Sequence, residues 1–208
     1  MPIDVWIAFI LASSALLIIP GPTVILVISY ALGGGRKTAW STIPGVLMGD
    51  LFTMTASLLG AGAILATSAL LFTILKWIGA AYLLWLGIKM WRNAGGRIEL
   101  GDGQSETSRS KMFWSAFTVT ALNPKGIIFF VAFVPQFVDP TAPALMQFAL
   151  LEATFLGCVA VIVTSWALLA GSFSQTLSNP RFIKRTHQAG ASFLIGAGLM
   201  TATLSRTS

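Results

Sequence analysis

The sequence predicts an all-α membrane protein: six transmembrane helices arranged as two inverted three-helix repeats, with helices 1 and 4 broken at proline motifs. Three observations carry this reading. Apolar residues make up 55% of the 208-residue chain and charged residues only 10%, against about 25% charged in soluble domains. A soluble fold of this size could not bury so much apolar surface. The apolar residues also fall into continuous, lipid-length segments. Finally, a helix breaker and a lone acid each recur once at one offset: Pro22 and Pro124 stand 102 residues apart, as do Asp50 and Glu152.

The first segment, Val5 to Gly35, holds no charged residue and exceeds the roughly 20 residues a span needs at ~1.5 Å rise each. Met1-Pro2-Ile3-Asp4 ahead of it lacks the positive region of a signal peptide, and the apolar stretch is too long for one. The segment is therefore expected to be retained as a span. Further spans are read over Ala39–Ala66, Leu70–Trp91, Phe113–Val138, Ala144–Phe173 and Gln188–Leu204. These segments are continuously apolar and do not alternate as barrel strands do. A helix satisfies its own backbone in lipid, so each is read as helical.

Basic residues set the direction. Arg36 and Lys37 fall in the first loop; Lys89, Arg92, Arg97, Arg109 and Lys111 in or beside the third; Arg181, Lys184 and Arg185 in the fifth. Only Lys76 and Arg206 oppose them, and Lys125 is left within a span. The positive-inside rule places the odd-numbered loops in the cytoplasm and both termini outside. The formal charge of +6 is thus a topology signal. Nucleic-acid binding would need basic patches interleaved with aromatics, and none is present.

The polar stretch 93–111 is rich in Gly, Ser and charge and reads as a cytoplasmic linker. It divides a single transmembrane domain, residues 1–208, into halves 1–92 and 112–205. Three is an odd number, so consecutive three-helix copies insert with opposite topology. Gly79-Ala80 and Gly87 match Gly190-Ala191 and Gly198 at an offset of 111, which brings Tyr82 onto Phe193.

The breaks and the acids belong together. Proline inside a helix costs ~3 kcal/mol, but at the first position of a helix it costs little, because that amide has no intrahelical partner. Asn123 therefore reads as an N-cap and Pro124 as the start of a half-helix; Gly21 and Pro22 read the same way after Pro20. Both motifs, Asp50 and Glu152 are expected to converge near mid-membrane. Half-helix amides there suit a substrate carboxylate, and discontinuous helices are where inverted-repeat transporters place substrates. A carboxylate at mid-membrane costs about 2.5–3.5 kcal/mol on insertion scales. Asp50 and Glu152 could hold a substrate ammonium, carry a coupling proton, or both. Lys125 could neutralise an acid or meet a substrate carboxylate.

Other residues read as structural. Gly45 and Gly49 form a Gly-x-x-x-Gly pair that signals close helix packing just before Asp50. Lys76-Trp77 and His187 read as interfacial anchors, and Tyr82 as packing or a polar contact. Cys158 is the only cysteine, which excludes an internal disulfide. Small-residue helix faces permit a homodimer.

The motifs Pro20-Gly21-Pro22, Gly45 to Asp50, Lys76-Trp77-Ile78-Gly79-Ala80-Ala81-Tyr82-Leu83 with Gly87, and Asn123-Pro124-Lys125 followed by Phe129-Phe130 and Pro135-Gln136-Phe137 occur in this order. In this the chain resembles the lysine-exporter and homoserine/threonine-resistance (LysE/RhtB) family of amino-acid exporters, over nearly its whole length. The resemblance implies a multi-pass protein of the bacterial inner membrane that exports amino acids or related small zwitterions by proton antiport. Its partners would be the substrate, protons and the lipid bilayer, with no nucleic acid and no cofactor. By that resemblance the two proline motifs and Asp50 are the site positions; Glu152 and Lys125 rest on the repeat and on membrane cost.

The alternative is an exporter of metal or inorganic ions. Two acids suit a hard cation, but no span holds a histidine or a cysteine pair for a softer one. An intramembrane enzyme lacks a His-Glu-x-x-His motif and a histidine base within a span; two lone carboxylates could form an aspartic-type dyad, but no other feature supports one.

Overall fold

The computed structural model describes residues 1–67, 69–92, 108–139 and 142–170, together with scattered helical positions between 181 and 199. The expected linker up to residue 107, His187, Gly190, Phe193, Gly198 and most of the sixth expected span lie outside the described residues, as does the side chain of Lys76. Every element among the described residues is helical. In chain order these are α1 (Ile3–Ile18), α2 (Pro22–Gly34), a short 3₁₀ turn (Arg36–Thr38), α3 (Ala39–Thr67), α4 (Ala69–Arg92), α5 (Arg109–Ala121), α6 (Pro124–Ile128) and α7 (Ala144–Leu169). A π turn over Phe129–Phe133 and a 3₁₀ turn over Val134–Phe137 continue α6.

Two helices, Arg36–Gly60 and Ala144–Leu169, are long and apolar enough to cross a membrane. Two bent pairs qualify when each is taken as one span: α1 with α2, bent by 55°, and α5 with the segment Pro124–Phe137, bent by 43°. The first and fourth expected segments are therefore both broken, and both break at their proline motif. One boundary difference has a local cause. The fourth segment begins at Arg109, not Phe113, because Ser108 caps it by accepting from the Lys111 amide at 3.3 Å. A cap fixes a helix start irrespective of hydropathy, so Arg109 and Lys111 belong to the helix.

Exposed and buried faces separate cleanly. Trp40, Phe52, Leu11, Leu59 and Leu145 are exposed, as residues bathed in lipid would be. The interior is aromatic: Phe129, Phe130 and Phe155 are essentially buried. Phe130 meets Phe155 edge to face at 4.9 Å between centroids, and Phe137 meets Phe9 in the same manner at 5.3 Å. These contacts seat α1 and α7 against the segment that follows the second break.

Small residues set the closest approaches. A Cβ on Gly45 would collide with the Phe113 carbonyl, and one on Gly49 would stand 2.8 Å from the Phe117 carbonyl oxygen. The Gly-x-x-x-Gly pair is thus the seam along which α3 runs parallel to α5. A Cβ on Gly87 would stand 2.9 Å from the Ala191 carbonyl oxygen, so α4 lies equally tight against the final helical positions. The small-residue faces at these three glycines are occupied within the chain. Tyr82 packs on Trp85 at 5.3 Å between ring centroids.

Candidate functional site

At the first break, Pro20 supplies no amide hydrogen, and α1 ends at Ile18. Gly21 is extended, with φ −109° and ψ −172°, and Pro22 takes the first position of α2. The Gly21 carbonyl accepts the first bond of the new helix, from the Ile25 amide at 2.9 Å. No side chain caps the leading amides of α2.

At the second break, Asn123 is the N-cap and Pro124 the first residue of α6, as the sequence predicts. The Asn123 Oδ1 accepts from the Lys125 amide at 3.1 Å. Its Nδ2 donates across to Thr23 Oγ1 at 3.3 Å, and Thr120 Oγ1 donates to the same oxygen at 3.2 Å. The Ala121 carbonyl, left open by the break, lies 3.0 Å from Thr53 Oγ1; the Gly49 carbonyl lies 2.8 Å from that oxygen, so the single hydroxyl proton serves one or the other.

Lys125 joins the two breaks. Its Nζ donates to the carbonyls of Leu16 at 3.1 Å and Ile19 at 3.2 Å, at the end of α1. A Cβ on Gly21 would stand 3.2 Å from that nitrogen, so glycine there leaves room for the ammonium.

Asp50 is buried in α3, directly after the glycine seam. It lines a cavity of about 30 Å³ with Gly21, Thr23, Asn123, Lys125 and Gly126, among the apolar side chains of Leu17, Val46 and Phe155. No hydrogen bond or ion pair to the Asp50 carboxylate is found among the described residues, although Lys125 is near enough to act on it electrostatically. A larger hollow of about 590 Å³ between α3 and α5 faces outward. Its lining of Met48, Phe52, Trp114 and similar residues is apolar apart from the Thr55 hydroxyl and the Trp114 indole N–H, so Asp50 and Lys125 line the small cavity and not this one.

Glu152 does not join this group, contrary to the expected convergence. It accepts from Thr55 Oγ1 at 2.6 Å and does not line the cavity. Thr55 lies five residues beyond Asp50, about 7.5 Å along α3 at ~1.5 Å per residue. The buried stripe of α7 is Leu151, Phe155, Val159 and Val163, and Glu152 sits on its flank. An equal offset in sequence fixes position along a helix but not the face presented.

Thr23, Thr53 and Thr120 carry contacts at the breaks that the sequence reading left out. For Thr23 a signal existed: the 102-residue offset that pairs Pro22 with Pro124 also pairs Thr23 with Lys125.

A helical bundle whose interior holds two broken helices stitched together beside a buried carboxylate is the arrangement that membrane transporters use. The chain belongs to the LysE family, matching the LysE type translocator over residues 14–205. It is 35% identical over 204 residues to the homoserine/homoserine lactone efflux protein of Salmonella typhimurium, covering 97% of this chain and 98% of that one. Identity is 34% over 203 residues to a protein of Vibrio cholerae serotype O1 named only as an uncharacterized membrane protein, with 98% of each chain covered. The leucine efflux protein of Enterobacter sp. is 31% identical over 166 residues, covering 79% of this chain and 78% of that one. No solved structure matches the chain.

Proposed function

We propose that the chain is a secondary exporter of amino acids or related small zwitterions, driven by proton antiport, with its substrate site at the cavity between the two breaks. The observation that carries this is Asp50: a buried carboxylate beside a cavity, with no hydrogen-bonding partner among the described residues. A buried charge is costly unless paired, and a substrate ammonium is the pair it lacks. Thr23 and Val24, whose amides lead α2 without a side-chain cap, line the same cavity. They present the positive end of a 13-residue helix to a substrate carboxylate. The relatives named for homoserine and leucine efflux support a substrate of this class.

The cavity, about 30 Å³, holds a water or so and not an amino acid, so transport requires the breaks to move apart. The wider arrangement we infer is six spans in two inverted halves, in the bacterial inner membrane, with both termini outside. Parallel α3 and α5, each beginning beside basic residues, fit that topology.

Efflux from preloaded vesicles under an imposed proton gradient tests the proposal. Asp50→Asn keeps the volume and removes the charge. It is expected to lower the rate by about 100-fold, the factor that a lost charge-assisted bond of ~2.7 kcal/mol gives. Wild-type efflux from that variant would overturn the assignment. Vesicles that release metal salts but no amino acid would favour the ion exporter instead.

A further inference from the structure

Among the described residues Lys125 does not pair directly with an acid; its ammonium holds two backbone carbonyls. In an unbroken helix the Leu16 carbonyl would accept from residue 20 and the Ile19 carbonyl from residue 23. Residue 20 is a proline without an amide hydrogen, and α2 restarts only at Pro22. Of the carbonyls that the break leaves without a helical donor, Lys125 Nζ holds two, those of Leu16 at 3.1 Å and Ile19 at 3.2 Å. The cation also stands at the C-terminal end of α1, where the helix dipole favours positive charge. Lys125 itself is the second residue of α6, whose cap binds Thr23 of α2. One side chain therefore ties the end of α1 to the start of α6.

We propose that Lys125 is the clasp of the transport cycle, a substrate-binding residue that holds the first break closed and releases it when an anionic oxygen displaces the carbonyls. The displacing group is the carboxylate of the substrate, so this inference rests on the amino-acid exporter reading above. An ammonium has three donors, and two are occupied by neutral carbonyls. The cavity lies on its open side, lined also by Asp50, Thr23 and Gly21. A carboxylate there competes well, because a bond between two charged groups is roughly twice as strong as a neutral one. Once the ammonium turns to the carboxylate, nothing else among the described residues donates to the Leu16 and Ile19 carbonyls. The end of α1 then separates from α6, and the cavity opens beyond its closed volume of about 30 Å³.

The test measures thiol labelling of Leu17→Cys in a Cys158→Ser background, in permeabilised membranes so that both sides are reached. Leu17 lines the cavity and is half-buried. With Lys125 present, leucine is expected to speed labelling, and leucine amide, which keeps the ammonium but lacks the carboxylate, is not. In Lys125→Met, labelling without any amino acid is expected to be about tenfold faster than with Lys125, the factor that one hydrogen bond to a charged group is worth. Leucine should then add nothing. Lys125→Arg, which keeps the charge and donors, should restore the slow baseline. Gly21→Ala retains the lysine but crowds its nitrogen at 3.2 Å; it should shift labelling the same way by less, and it covers the case in which Lys125→Met does not fold. Equal labelling of Lys125, Lys125→Met and Gly21→Ala would overturn the clasp. So would acceleration by leucine amide as strong as by leucine. The baseline comparison uses no substrate, so it judges the clasp even if the chain proves not to export amino acids. Conversely, efflux lost in Asp50→Asn with unchanged labelling in Lys125→Met would keep the exporter and sink the clasp.

Discussion

At both breaks a proline takes the first position of a new helix, Pro22 in α2 and Pro124 in α6, yet the neighbouring residues treat the exposed backbone in opposite ways. At the second break neutral groups close the backbone, from its own turn and from α3. Asn123 caps the Lys125 amide, its own amide donates to the Thr120 carbonyl at 3.0 Å, and Thr53 reaches the Ala121 carbonyl. The first break is open at both ends. Gly21 has no side chain to cap α2, and the carbonyls at the end of α1 depend on Lys125 from the other half of the chain. The lesson is that a repeat in sequence need not give two equivalent sites. On the clasp proposal the second break is the fixed post and the first the movable end, so a substrate carboxylate would meet the free amides of α2 beside the Lys125 ammonium.

The comparison breaks first if the post is not rigid. Gly45 is where α3 meets the helix leading into the second break, and Gly45→Ala drives a methyl group into the Phe113 carbonyl. Backbone cannot step aside as a flexible side chain would. The variant is expected to lose about 1–3 kcal/mol, the usual cost of overpacking, read as a lower unfolding midpoint in detergent. An unchanged midpoint would mean that the α3–α5 seam yields and that the second break is no firmer than the first.

Asn123 sharpens the contrast next, because it makes two separable bonds. Asn123→Ala removes the cap and the donor to Thr23, and should cost about 1–2 kcal/mol. Asn123→Ser keeps an oxygen for the Lys125 amide and loses the Nδ2 bond without adding a charge beside Asp50. The serine is expected to recover most of the stability if capping dominates. Matching losses in the two variants would show that the link to Thr23, and not the cap, holds the second break. Thr23→Val is smaller again, at about 0.5–1.5 kcal/mol for hydrogen bonds to a neutral hydroxyl; no loss would mean that the two breaks are not joined through Thr23.

What was legible in the sequence follows the same division. The breaks and their caps are local: a proline, the residue before it and the amide after it settle the geometry within one turn, so Asn123-Pro124 and Gly21-Pro22 could be read directly. Orphaned carbonyls are equally predictable, since Pro20 must leave Leu16 without its donor. Which group comes to them is not predictable, because Lys125 is more than a hundred residues away and arrives only through two bends and the packing of α7 against both halves. Hydropathy missed Arg109 and Lys111 because it measures lipid preference, whereas the Ser108 cap starts the helix in water.

Glu152 is the remaining part of the comparison and carries the smallest expected effect. The 102-residue offset pairs it with Asp50, but the fold gives it a partner in Thr55 Oγ1 at 2.6 Å and a place outside the cavity. Glu152→Gln keeps an oxygen able to accept that bond while removing the charge. If the acid only braces α3 against α7, proton-driven efflux should stay within about twofold of wild type, the scale of substitutions away from critical features. A proton carrier predicts something different: net efflux under a proton gradient would collapse, while exchange of labelled for unlabelled amino acid, which needs no net proton movement, would continue. That outcome would divide the roles between the halves. Asp50 would be left with the substrate, and Glu152, with its hydroxyl partner, would become the group through which the gradient is coupled.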